Sequence, residues 1–412
     1  MIDFDRFTLD NGLRVIVHTD TTTPLVSMNI LYNVGSRDED PEKTGFAHLF
    51  EHLMFGGSVH IKKYDEPLER VGGDNNAFTN SDVTDFYLTV PKQNLETAFW
   101  LESDRMLNLA FSKKSLEVQR HVVIEEFKQN YLNKPYGDIW LLLRPLAYTK
   151  HPYQWSTIGK SIEPIQNATM EDVRDFYTRF YNPNNAIMVL AGNTTVDEVK
   201  GFAEKWFGSI PAGIDVERNL PVEPVQTEPR ILTVEREVPL DCIYKTYHMC
   251  GKMDDDYPAI DLLSDLLSNG NSSRLYQSLI KEQQLFSDIN AFLTGDEDGG
   301  LFVITGKLIK DIKMEVAEAA ILEQINKIKT DLVNGDELQK VQNKVESLIA
   351  FTEMRIQERA LNLAYAEHLG DINMVNNDIL RYKAVTPEKI LIVAKKLLRP
   401  ENCSTLYYLS KK

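Results

Sequence analysis

Cysteine is scarce in this chain. Only Cys242, Cys250 and Cys403 occur among 412 residues, an odd number and widely spaced. They build neither a disulfide framework nor a zinc knuckle, so they read as free buried thiols suited to a reducing compartment. Apolar runs are short as well, and none approaches the roughly 18 residues needed to span a bilayer. The opening Met1-Ile-Asp-Phe-Asp-Arg6 has neither the basic nor the apolar part of a secretory leader. A cytoplasmic location is therefore expected, or a periplasmic one if a leader has been removed. Basic residues are in deficit: 45 Lys and Arg face 61 Asp and Glu, a net charge of −16. That balance argues against nucleic acid and anionic membranes as partners. No glycine-rich loop opens a helix, which removes support for dinucleotide or nucleoside triphosphate binding.

What is present is a globular composition, 43% hydrophobic and 26% charged, in a chain too long for one ordinary core. The pattern begins with a hairpin: Phe7-Thr-Leu, a turn at Asp10-Asn-Gly12, and an alternating strand over 13–18. A second strand is expected over 26–34, helical periodicity over 45–55, and a strand over 85–90 stopped by Pro91. Helices are expected near 92–108, 112–131 and 169–180, with a strand over 184–191. Pro211, Gly213, Pro221, Pro224 and Pro229 mark a linker. After it the order of elements restarts. Gly45-Phe-Ala-His-Leu-Phe-Glu-His-Leu-Met-Phe-Gly-Gly57 aligns with Pro258-Ala-Ile-Asp-Leu-Leu-Ser-Asp-Leu-Leu-Ser-Asn-Gly270, pairing Leu49 with Leu262, Leu53 with Leu266 and Gly57 with Gly270. His48, Glu51 and His52 fall on Asp261, Ser264 and Asp265. The expectation is a domain over 1–210, a linker over 211–228, and a second copy over 229–412 without the first copy's chemistry. Mixed strands and helices with hairpin connections favour an α+β fold over a doubly wound sheet.

The chemistry gathers in His48-Leu-Phe-Glu51-His52. On a helix, positions i and i+4 share a face, so both imidazoles can converge on one ion. Glu51 lies on the same side, while Phe46, Leu49, Phe50 and Leu53 form an apolar stripe opposite. This is the H-x-x-E-H order of a zinc peptidase. Catalytic zinc needs a third protein ligand and an open position. The segment Gln119-Arg-His-Val-Val-Ile-Glu125-Glu126 supplies candidates, and spacing alone does not separate Glu125 from Glu126. His121 and His60 are weaker alternatives. The acidic turn Thr294-Gly-Asp-Glu-Asp-Gly-Gly300 lacks calcium-loop spacing and reads as a hairpin turn.

On these residues the sequence resembles the pitrilysin/insulinase family of zinc peptidases, the inverzincins, which include processing-peptidase-like bacterial members. Thr8-Leu-Asp-Asn-Gly-Leu-Arg-Val15, Gly35-Ser-Arg-Asp-Glu39, Thr44-Gly-Phe-Ala-His48 and Gly72-Gly-Asp-Asn-Asn76-Ala-Phe-Thr79 carry the likeness, with Glu102-Ser-Asp-Arg-Met106 and Tyr131-Leu-Asn-Lys-Pro-Tyr-Gly137. The resemblance implies one Zn2+ per chain held by His48, His52 and Glu126, with Glu51 activating water. A supporting glutamate of some members is replaced here by Gln119. It also implies two similar domains, each a mainly antiparallel sheet packed by helices, forming half of a clamshell that closes on an unfolded peptide. Substrate binding would fall to Asn76, Ala77, Phe78 and Thr79, with core packing as the alternative for Phe78. Active members carry an Arg and a Tyr in the second domain where this chain has Ile280 and Ser287. The expected partner is therefore a second subunit, in a homodimer or a heterodimer whose related partner supplies that pair. A non-catalytic scaffold or peptide-binding subunit of the same fold is the rival reading.

Overall fold

The computed structural model describes residues 1–411. Two sheets organise it, each with helices packed on it, an α+β arrangement. The first comprises β1 (Asp5–Thr8), β2 (Arg14–Thr19), β3 (Leu25–Tyr32), β4 (Asp74–Thr79), β5 (Thr84–Pro91) and β6 (Ala186–Gly192), in the order β1-β2-β6-β3-β5-β4. Every neighbouring pair is antiparallel except β2 with β6. The central strand β6 is buried along its whole length and reads Ala-Ile-Met-Val-Leu-Ala-Gly, whereas the edge strand β4 reads Asp-Asn-Asn-Ala-Phe-Thr. Polar side chains suit an edge that must resist unwanted pairing.

The second sheet comprises β7 (Arg230–Arg236), β8 (Cys242–His248), β9 (Phe286–Leu293), β10 (Leu301–Leu308) and β11 (Cys403–Ser410), ordered β7-β11-β8-β10-β9. Here β7 and β11 are the parallel pair and the rest are antiparallel. With β1 set aside, the two sheets share one strand order and one series of pairings. A parallel pair needs a long crossover, and in each sheet that crossover carries the other three strands and several helices.

Five helices matter below: α1 (Phe46–Met54), α2 (Lys113–Phe127), α3 (Met170–Phe180), α4 (Tyr257–Ser268) and α5 (Ile356–His368). In chain order α1 lies between β3 and β4, and α4 lies between β8 and β9, the equivalence that the pairing of Leu49 with Leu262 anticipates. The expected helix over 92–108 divides into a 3₁₀ turn, Lys92–Asn94, and a helix, Leu95–Leu107. The one over 112–131 is α2 followed by a π-helical turn, Lys128–Leu132. Residues 294–300 connect β9 to β10, and residues 211–228 contain neither helix nor strand.

The chain forms two compact units whose boundaries differ from a single cut near residue 210. The first unit takes Met1–Leu132, Trp155–Leu220 and Ala350–Asn376; the second takes Asn133–Gln154, Pro221–Ile349 and the chain from Asn377 onward. Packing explains both exchanges. Helix α5 lays Ala360, Leu363 and Ala364 against Ile16, Leu31, Ile187 and Val189 of the first sheet. Ile139 and Leu143 pack with Cys242, Leu406 and Tyr408 of the second. Among the described residues no helix is long and apolar enough to cross a membrane.

Candidate metal centre

Helix α1 starts from Gly45, whose φ of +90° suits glycine, and where a Cβ would sit 2.8 Å from the Ile158 carbonyl oxygen. Phe46, Leu49, Phe50 and Leu53 are all buried. The Phe50 ring lies 4.9 Å from Tyr181 and 5.2 Å from Phe176 of α3, centroid to centroid. These contacts set the rotation of α1 about its axis. The opposite face then presents His48, Glu51 and His52, all half-buried.

Helix α2 is capped by the Ser112 hydroxyl, which accepts from the Ser115 N–H. Val123 and Phe127 are buried, and with that face turned inward Glu126 comes up to α1. Its Oε2 stands 3.6 Å from His48 Nε2 and 3.5 Å from His52 Nε2, and the two nitrogens are 3.3 Å apart. Glu125, one residue earlier, is exposed and pairs with Lys128 at 2.7 Å. His121 is exposed, and His60 is bound to Asp104 at 2.7 Å instead. Packing thus separates the four candidates that spacing left open.

The donor set fits zinc. Bonds of 2.0–2.2 Å in a tetrahedral array hold ligand atoms about 3.4 Å apart, and the three separations here run from 3.3 to 3.6 Å. Among the described residues, His48, His52 and Glu126 are the one group of three such side chains whose ligand atoms meet closely enough to hold a metal ion. Burial pushes His48 down to about 4, against the pull of Glu126, so its imidazole is neutral near pH 7 and able to bind a metal. Hydrogen bonding to His52 holds the Glu126 carboxyl below its ordinary range.

Glu51 turns toward β4, where the Thr79 hydroxyl donates to its Oε2 at 2.6 Å. Burial pushes the Glu51 carboxyl upward, while Thr79 and His52 hold it down. Side chains alternate along a strand, so Phe78 faces the other way and packs against the cluster containing Leu31, Val83 and Leu363. Of the four residues expected to meet substrate, Phe78 therefore commits its side chain to the core. Asn76 is exposed, and its Oδ1 accepts from the Ala77 N–H at 2.9 Å. Ile280 lies in a π-helical turn, Tyr276–Glu282, against the second unit's core, and Ser287 is exposed on β9.

Two features escape a reading by spacing. One is the Thr79 contact to Glu51. The other is Glu39, buried, whose Oε1 accepts from the Ala47 N–H at 2.8 Å and whose Oε2 accepts from the Gly45 N–H at 3.0 Å. Glu39 stands inside a recognisable segment, but six residues before the N-cap residue Gly45 it matches no capping pattern.

A family model described as Insulinase (Peptidase family M16) matches residues 14–146, and one described as Peptidase M16 inactive domain matches residues 167–345. The zinc protease PqqE of Helicobacter pylori is 31% identical over 345 residues, covering 82% of this chain and 77% of that one. The chain belongs to the M16 peptidase family. Among solved structures, a protease from Helicobacter pylori matches with a TM-score of 0.92 at 26% identity, over 99% of this chain and 100% of that one. The periplasmic protease PqqL of Escherichia coli gives a TM-score of 0.82 at 19% identity, over 99% of this chain but 48% of its own. The M16 relatives named as zinc proteases support a peptidase. The match described as inactive falls on the part of the chain where Asp261, Ser264 and Asp265 replace the first copy's histidines and glutamate.

Proposed function

We propose that this M16 chain is a zinc metalloendopeptidase acting on unfolded peptides, with one zinc held by His48, His52 and Glu126. The observation that carries the reading is the meeting of two imidazole nitrogens and one carboxylate oxygen at 3.3–3.6 Å, with a second carboxylate, Glu51, on the same helix face. When bound, zinc supplies a Lewis acid that polarises a carbonyl and makes water acidic near neutral pH. Glu51 takes the proton of the attacking water and returns it to the leaving amine. Thr79 holds the Glu51 carboxylate by its Oε2, leaving Oε1 for that proton. Substrate lies extended along β4, the free edge of the first sheet, where Asn76, Ala77 and Thr79 offer backbone and side-chain contacts and pairing supplies affinity.

The chain works as the catalytic subunit of a dimer. Ile280 and Ser287 cannot supply the guanidinium and phenol expected of a complete site, so a related subunit supplies them.

Glu51→Gln tests the chemistry. The variant is expected to bind zinc as the parent does while cleaving a fluorogenic peptide about 10²–10⁴-fold more slowly. Near-parental cleavage would remove Glu51 from the reaction. Loss of zinc from the variant would make it a ligand instead.

A further inference from the structure

Helix α1 has no cap of its own. Its N-cap residue is Gly45, which has no side chain, and the first N–H groups of a helix need acceptors when they are buried. Gly45 and Ala47 are both buried. The acceptor comes from Glu39, whose backbone N–H closes the 3₁₀ turn Ser36–Asp38. One carboxyl oxygen takes the Ala47 N–H at 2.8 Å and the other takes the Gly45 N–H at 3.0 Å. The second oxygen also accepts from the Trp155 indole N–H at 3.0 Å, and the same N–H reaches the Ser36 carbonyl at 3.0 Å. Glu39 is 5% exposed and Trp155 2% exposed. A buried carboxyl is thus clamped by three donors, one of them the N–H of Ala47, the residue before His48.

We propose that Glu39 is a positioning residue for the metal centre, fixing the axial placement of α1 so that His48, Glu51 and His52 meet Glu126. The apolar stripe of α1 restrains rotation but allows small slides along the helix axis, since packed side chains tolerate modest shifts better than buried hydrogen bonds tolerate breakage. Two N–H groups fixed to one carboxyl remove that freedom at the turn that carries His48. The ligand separations of 3.3–3.6 Å leave only a few tenths of an ångström for error. The inference rests on zinc binding at the three proposed ligands, and goes beyond it to a residue that touches neither metal nor substrate.

The test uses the full chain and zinc itself. Glu39→Gln presents an NH₂ where one oxygen accepted, setting donor against donor, while keeping size and shape. Three quantities are read: zinc affinity by chelator competition, the visible spectrum of the cobalt-substituted chain, and the rise in Tm that zinc produces. Positioning predicts about 10–100-fold weaker zinc binding, an altered cobalt spectrum and a smaller zinc-induced rise in Tm. A purely structural cap predicts that Tm falls equally with and without zinc, with affinity and spectrum unchanged, and that result overturns the proposal. If Glu39→Gln does not fold, Glu39→Asp, which keeps the carboxyl but shortens its reach to both helix N–H groups by one methylene, is judged by the same three readings. A parent chain that binds no zinc would defeat the underlying zinc reading, and is distinguished from failure of the positioning role by the parent's own titration.

Discussion

Successive helix residues are rotated by about 100°, and on α2 that rotation sends Glu125 to solvent beside Lys128 and Glu126 toward the imidazoles of α1. Two side chains of one chemistry thereby take unrelated roles. Glu126→Ala is expected to weaken zinc binding by more than about a hundredfold, since losing a ligand costs at least what losing its support does. Glu125→Ala should leave it unchanged, and chelator competition on the pair would show whether the assignment stands. Another carboxylate reports on the acid range. Asp20, just after β2, accepts from the Thr22 hydroxyl at 2.6 Å, the Thr22 N–H at 2.9 Å and Arg359 of α5 at 2.6 Å, and these bonds hold it down to about 2. A carboxyl held below its unfolded value contributes stability that is present above the ordinary carboxylate range and disappears as pH falls through about 2. Asp20→Asn should therefore trail the parent in urea midpoint above about pH 4 and draw level with it near pH 2.

At the scale of elements, the site depends on α1 being held from behind by aromatic packing and on β4 keeping a free edge. Phe50 is fully buried among Phe176, Tyr177 and Tyr181. Phe50→Ala should cost about 3–5 kcal/mol by chemical denaturation, the range for a large ring removed from a core. On β4, Ala77 has its N–H covered by the Asn76 side chain instead of a ladder partner. Ala77→Pro removes that donor from an edge where proline is tolerated. We expect zinc content to hold while KM for extended peptides rises severalfold; an unchanged KM would mean that substrate does not pair at this strand. The hairpin of β1 and β2, the strand β3 and the helix α1 were legible because turn residues and apolar periodicity declare them locally. The break of α2 into a π-helical turn was not, since no local pattern distinguishes it from continued α-helix.

For the whole molecule, the repeated strand order explains how one unit can carry the His48, His52 and Glu126 cluster while the other has the same scaffold without it. The second copy's α4 stays buried through Leu262, Leu263, Leu266 and Leu267, which preserves the scaffold. Its Asp261 is instead engaged by the Tyr382 hydroxyl at 2.7 Å and its Asp265 by Lys344 at 3.7 Å. If a related subunit completes the site, peptidase activity of this chain alone should be low and should rise on adding an M16 chain that has the Arg and Tyr but no zinc motif. Full activity of the isolated chain, independent of its concentration, would argue for a self-sufficient enzyme. The sequence by itself determined the helix bearing two histidines and a glutamate, because that rests on short-range spacing and periodicity, while motifs spread along the chain carried the family resemblance and a repeated order of elements carried the two copies. Only the tertiary structure decided that Glu126 and not Glu125 joins them, that Glu39 anchors their helix, that Phe78 belongs to a core, and that residues 133–154 and 350–376 change units. Each of those depends on which distant apolar face a segment buries, and a linear pattern carries no information about the surface it will meet.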